Sequence, residues 1–69
     1  MNRAPRSAYL AIVRATAEAV FGRRRAHAWL AARNGRLGGA APLSLASELH
    51  GAERVLAEID RAGKKSATR

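Results

Sequence analysis

Apolar residues recur at three- and four-residue steps early in the chain, at Leu10, Val13, Ala17, Val20 and Phe21. A helix turns once in about 3.6 residues, so these positions form one stripe. The stripe predicts a helix from Ser7, a residue able to cap the first turn, to Phe21. Gly22 ends it, since glycine takes a left-handed turn without a Cβ penalty. Arg14 and Glu18 lie one turn apart and are expected to pair on the outer face. A second helix is predicted over Arg24–Arg33, with Ala26, Trp29, Leu30 and Arg33 on one side. Asn34-Gly35 is a strong stop and turn signal. Leu37 then drops back onto the core, and Gly38-Gly39 permit positive φ or a close backbone approach. Pro42 suits the first position of a short third helix reaching Leu49, with Leu43 and Leu45 inward. Gly51 separates it from a fourth helix, Ala52–Ala62, striped by Val55, Leu56 and Ile59 and ended by Gly63. Glu53 in that helix's first turn and Arg61 in its last suit the helix dipole.

There is no strand-like alternation and no repeat. The expected fold is all-α: a compact bundle of about four short helices with no sheet. Residues 1–6 read as a flexible basic lead, 7–63 as a single helical domain and 64–69 as a basic tail. Trp29, Leu30, Leu37, Gly38, Gly39 and Pro42 form a structural corner that sets the angle between the second and third helices.

Composition sharpens this picture. The chain has 69 residues, no cysteine and three aromatics, Tyr9, Phe21 and Trp29. A single core of this size seldom supplies more than about 3–5 kcal/mol without a disulfide or metal staple. The domain would therefore gain from a homo-oligomer or a bound partner. The longest early apolar run, Ala8–Val13, falls far short of the ~20 residues a transmembrane helix needs. Arg3 and Arg6 precede that run as in a signal peptide, but Arg14 and Glu18 break it and no cleavage-like exit follows. The chain reads as soluble, unprocessed and cytoplasmic. The first helix is not an interfacial membrane helix either, because its polar face is poor in lysine and arginine.

The net charge is +8. It fits either a polyanionic partner or a solvated arginine-rich surface. Arg23, Arg24 and Arg25 crowd the first turn of the second helix, where the dipole is already positive. That placement fits an anion or an acidic partner surface at this end, or three exposed arginines tolerating their repulsion. The candidate chemistry is otherwise sparse. Ser7, Ser44, Ser47 and Ser66 lie in no nucleophile motif. His27 is expected on an exposed helix side and His50 at a helix end, and two distant histidines without cysteine make no metal set. Glu48 with Glu53, or Glu58 with Asp60, would be the only carboxylate pairs. Glu58 is explained by ion pairing with Arg54 and Arg61. No glycine pattern cradles a phosphate. No catalytic residue, metal site or cofactor is expected, and the protein does not read as an enzyme.

The ordered residues Val20-Phe21-Gly22, Ala26, Trp29-Leu30, Asn34, Leu37-Gly38-Gly39, Pro42-Leu43, Gly51, Val55 and Ile59 resemble the toxin-binding domain of Xre/MbcA/ParS-type antitoxins. The resemblance covers about Thr16 to Gly63, so the helical domain is expected to be a toxin-binding one. The family usually has Thr or Ser before the proline; here Ala41 stands there, at a cost of about 1 kcal/mol in capping. Ala40 stands where a larger, often basic residue is common. Many relatives carry an N-terminal helix-turn-helix. Only residues 1–15 precede the matched part, so DNA binding through a dedicated domain is not expected. The chain would be a minimal antitoxin or one domain of a larger system. The resemblance implies neutralisation of a RES-domain toxin, an enzyme that consumes NAD⁺, by covering the approach to its active site. Under that reading the fourth helix and tail meet the toxin, alone or within a hetero-oligomer. The candidate partner-binding residues are Arg33, Arg36, Arg54, Glu58, Arg61, Lys64, Lys65 and Arg69. The alternative is a small basic helical protein that binds nucleic acid through the Arg23–Arg25 cluster.

Overall fold

The computed structural model describes the backbone of residues 6–67 and the side chains of residues 8–64. Four α-helices follow one another: α1 (Arg6–Phe21), α2 (Arg23–Ala31), the single turn α3 (Pro42–Leu45) and α4 (Leu49–Ala67). A 3-10 turn, Gly35–Leu37, lies between α2 and α3. Among the described residues there is no strand, only an isolated bridge between Asn34 and Ala40. The all-α bundle expected from the sequence is the fold observed. α1 packs along both α2 and α4, and α3 joins α2 to α4 across one end.

The core draws on every element. Val13 and Ala17 come from α1, Ala26 and Leu30 from α2, Leu37 from the 3-10 turn, Ala46 from the end of α3, and Ala52, Val55 and Ile59 from α4. Tyr9, Leu10, Phe21, Trp29, Leu43, Leu45 and Leu56 pack around them, partly buried. Phe21 and Trp29 meet as a tilted ring pair, with centroids 5.3 Å apart. One stripe residue departs from expectation: Val20 is 44% exposed. Val13, Ala17 and Phe21 step by four along α1, so Phe21 takes the inward place at the helix end and Val20 falls beside that line.

Gly22 serves two helices. At φ 87° its N–H donates to the Glu18 carbonyl at 2.9 Å, ending α1, and its carbonyl accepts from the Ala26 N–H at 2.9 Å, opening α2. A residue with a Cβ is strained at that φ. α2 stops at Ala31 because Ala32 is extended, with φ −84° and ψ 148°. Arg33 is therefore outside the helix that the apolar spacing had extended to include it. At the other end of the chain Ser7 lies inside the first turn of α1, which begins at Arg6. Arg14 and Glu18 do not form the expected ion pair within 4.0 Å. The expectations for residues 1–5, Thr68 and Arg69 lie outside the described residues.

The largest correction concerns the fourth helix. It begins at Leu49, three residues before the expected start, and runs through Gly63 to Ala67. The third helix is correspondingly cut to one turn. Glu53 thus sits beyond the first turn of α4, 3.6 Å from His50. Gly51 and Gly63, both expected as breaks, are interior to α4. Their role is close approach. A Cβ on Gly51 would collide with the carbonyl oxygen of Leu45 and come within 2.8 Å of its carbonyl carbon. A Cβ on Gly63 would come within 2.6 Å of Val20 Cγ1. The absence of side chains lets α4 lie against α3 at one point and α1 at another.

These two glycines predict opposite outcomes. Gly51→Ala meets backbone that cannot yield, so overpacking outweighs the gain in helix propensity by about 1 kcal/mol or more. Gly63→Ala meets only the end of a half-exposed valine and gains up to about 1 kcal/mol of propensity. Thermal unfolding followed by circular dichroism should show a lowered Tm for the first and an unchanged or raised Tm for the second. Ala41 precedes Pro42 and offers no side-chain cap to α3. Ala41→Ser should stabilise the domain by about 1 kcal/mol in urea titration.

Candidate functional site

Asn34 organises the corner between α2 and α3. Its backbone N–H donates to the Ala40 carbonyl at 3.1 Å, and its own carbonyl accepts from the N–H groups of Leu37 and Gly39, each at 2.9 Å. Its side-chain Oδ1 accepts from the Arg36 N–H at 2.9 Å. Asn and Asp favour such turns because the short polar side chain replaces a backbone acceptor. Gly38 and Gly39 then reverse the chain at φ 74° and 85°. The closed loop pushes Leu37 into the core and holds Arg36 outward over α4. Of the expected corner residues, Leu30, Leu37 and Pro42 are buried, Trp29 is half-buried against Phe21, and Gly38 and Gly39 are exposed.

Arg36 meets α4 at Glu58. Its Nε lies 3.0 Å from Glu58 Oε1 and 3.3 Å from Oε2. Arg61, one turn along α4, donates to Oε1 from Nη2 at 2.9 Å and from Nε at 3.2 Å. The Glu58 side chain is only 12% exposed, between arginines that are 59% and 43% exposed. One carboxylate thus ties the 3-10 turn to α4 across 22 positions of sequence. The Arg61 guanidinium, with Arg36 adding to it, holds the Glu58 carboxyl below the usual carboxylate value, against the opposing effect of its partial burial. The expected Arg54–Glu58 pair is not formed; the partner in its place is Arg36, which no helix-spacing rule relates to Glu58.

The structure brings Arg36, Glu58 and Arg61 together. Lys64 pairs with Asp60 at 3.2 Å. Arg33 and Arg54 are exposed and form no ion pair within 4.0 Å among the described residues. The side chains of Lys65 and Arg69 lie outside the described residues. Arg36 contacts Glu58 through Nε, and its side chain remains 59% exposed. Among the described residues no group of three or more His, Asp or Glu could hold a metal ion. No described helix is long and apolar enough to cross a membrane.

A small all-α domain, closed by an asparagine-centred corner and tied by one partly buried carboxylate to a long amphipathic helix, is the class that these features define. The chain belongs to the Xre/MbcA/ParS antitoxin family: residues 16–63 match its C-terminal toxin-binding domain. It is thus a toxin-binding domain of a toxin–antitoxin system, and its partner is a protein toxin. No curated protein and no solved structure matches the chain. The match begins at Thr16, within α1, and ends at Gly63, within α4. Tyr9, Leu10 and Val13 precede the matched stretch yet pack in or on the core.

Because the carboxyl of Glu58 titrates at a lowered value in the folded state, its contribution to stability has a defined pH window. It is fully present above the unfolded value of about 4.3 and is lost as pH falls through the lowered folded value. Glu58→Gln should cost roughly 0.5–1 kcal/mol at neutral pH, a figure discounted for the solvent exposure of both arginines. The difference between the two proteins should shrink on acidification through that window, as read by urea unfolding at several pH values.

Proposed function

We propose that this domain binds and neutralises a RES-domain toxin, an NAD⁺-consuming enzyme, by covering the entrance to its active site. The observation that carries the reading is the match to the antitoxin toxin-binding domain through most of the bundle. The RES class is what the resemblance of the corner and helix residues implies. The geometry supports a binding face built from the corner and α4. Arg36 is positioned by the Asn34 turn and by Glu58, so less side-chain entropy is lost when its exposed side chain meets a partner. Arg61 lies beside it, and Arg33, Arg54 and Lys64 extend the basic surface. A basic cover of this kind suits an acidic rim around the toxin's entrance. In this reading the protein is bacterial and acts in the cytoplasm, as a hetero-oligomer with its toxin.

Co-expression with a RES-domain toxin tests the proposal. The toxin alone should arrest growth and drain NAD⁺, and this chain should restore both and co-purify with the toxin. Continued NAD⁺ loss with no co-purification would overturn the reading. Arg54→Gln, at an exposed position without an ion pair, should leave unfolding unchanged and weaken toxin binding several-fold.

A further inference from the structure

The Glu58 cluster is unbalanced in charge. One carboxylate lies 3.0 Å from Arg36 and 2.9 Å from Arg61. Neither arginine pairs with any other carboxylate within 4.0 Å among the described residues. The cluster therefore keeps one positive charge that its own residues do not neutralise. Exposure is divided in the same sense: the Glu58 side chain is largely covered, while both arginines stay open to solvent. Two long side chains from different elements, the 3-10 turn and α4, are thereby tied to one point. All three residues fall inside the stretch that matches the toxin-binding domain.

We infer that Glu58 is a positioning residue: it holds Arg36 and Arg61 as a seat for one carboxylate of the toxin and does not itself touch the toxin. This rests on the functional reading above, which makes the corner and α4 the binding face. A carboxylate brought to the two arginines completes an alternating set of two guanidiniums and two carboxylates. Every charge then has neighbours of opposite sign. Guanidinium suits the task because its planar fork carries five N–H donors and can serve two acceptors at once. Glu58 takes Nε of Arg36 and Nε and Nη2 of Arg61, so each fork has donors to spare. Holding the two side chains beforehand removes much of the entropy that free arginines lose on binding. As a device for stability alone the cluster is poor, since exposed ion pairs contribute little and the second arginine sets a like charge near the first. The group received is a carboxylate because the partner is a protein, and it is a single one because the excess is a single charge.

The test titrates the whole chain against a RES-domain toxin by calorimetry, at a temperature where circular dichroism shows every variant folded. Glu58→Gln removes a negative charge and raises the net charge by one from +8. If charge alone governed the encounter, this variant would bind an acidic surface more tightly. Positioning requires the opposite sign. Affinity should fall by about fivefold to tenfold, and Glu58→Gln should cost nothing further once Arg36→Gln/Arg61→Gln is in place. In the free chain labelled with ¹⁵N, the Nε–H signals of Arg36 and Arg61 should be ordered and should become mobile in Glu58→Gln. Unchanged or tighter toxin binding by Glu58→Gln, a loss that persists in the double-arginine background, or arginine signals equally mobile with and without Glu58 would each overturn the inference. Its fate separates from that of the RES reading. Neutralisation of the toxin by wild type and Glu58→Gln with equal affinity keeps the reading and removes the seat. A wild-type chain that binds no RES-domain toxin removes the reading, and arginine signals that loosen in Glu58→Gln then keep the seat for a toxin of another class.

Discussion

The four hydrogen bonds around Asn34 are the constraint on which the rest of the fold depends. A connector between two short helices has backbone polar groups that must find partners and conformational freedom that must be lost. One residue answers much of the first demand, donating to Ala40 and accepting from Arg36, Leu37 and Gly39. The closed loop then has two outputs on opposite sides. Leu37 enters the core, joining a cluster to which all four helical segments contribute. Arg36 reaches α4 and pairs with Glu58. Packing and charge are thereby coupled through a single turn, and the surface beside α4 inherits its order from a hydrogen-bonded loop rather than from helix periodicity.

The second governing feature is the closeness of the backbones. Gly51 lets α4 start against the carbonyl of Leu45, and Gly63 lets it pass Val20. Four of the nine buried core residues are alanines: Ala17, Ala26, Ala46 and Ala52. Small residues allow close helix packing but bury little apolar area apiece. The domain is therefore held by fit more than by bulk. A partner that binds only the folded form would add to its stability by mass action, which links the modest core to the toxin-binding role of the family.

Much of the architecture was legible in the sequence, for reasons local to each element. The stripes of α1 and α4, the Gly22 stop, the plug at Leu37, the positive-φ glycines and Pro42 at the start of α3 all follow from periodicity or from single-residue backbone preferences. The same local rules misread Gly51 and Gly63. Glycine usually interrupts a helix, but here the helix continued through both, and at Gly51 contact with the Leu45 backbone required an absent Cβ. They also misplaced Val20, because a stripe read by spacing alone does not decide which of two adjacent residues turns inward at a helix end. The Arg36–Glu58 tie lay beyond any such reading, since it joins residues far apart in sequence. Arg54, at the favoured helical spacing, was the natural guess. Likewise Arg14 and Glu18 of α1 stand around the same depression as Arg23 and Arg24 of α2, a juxtaposition set by how the two helices meet at Gly22 and not by spacing along either.

The alanine-rich core also bears on how the domain responds to temperature. The heat capacity of unfolding rises with the apolar area exposed, and that increment sets the curvature of the stability curve. A core made largely of methyl groups exposes less such area than one filled with leucine and phenylalanine. Its stability curve is correspondingly shallow, so the folded population drifts slowly on either side of its optimum and depends more on occupancy by a partner than on a few degrees of warming or cooling.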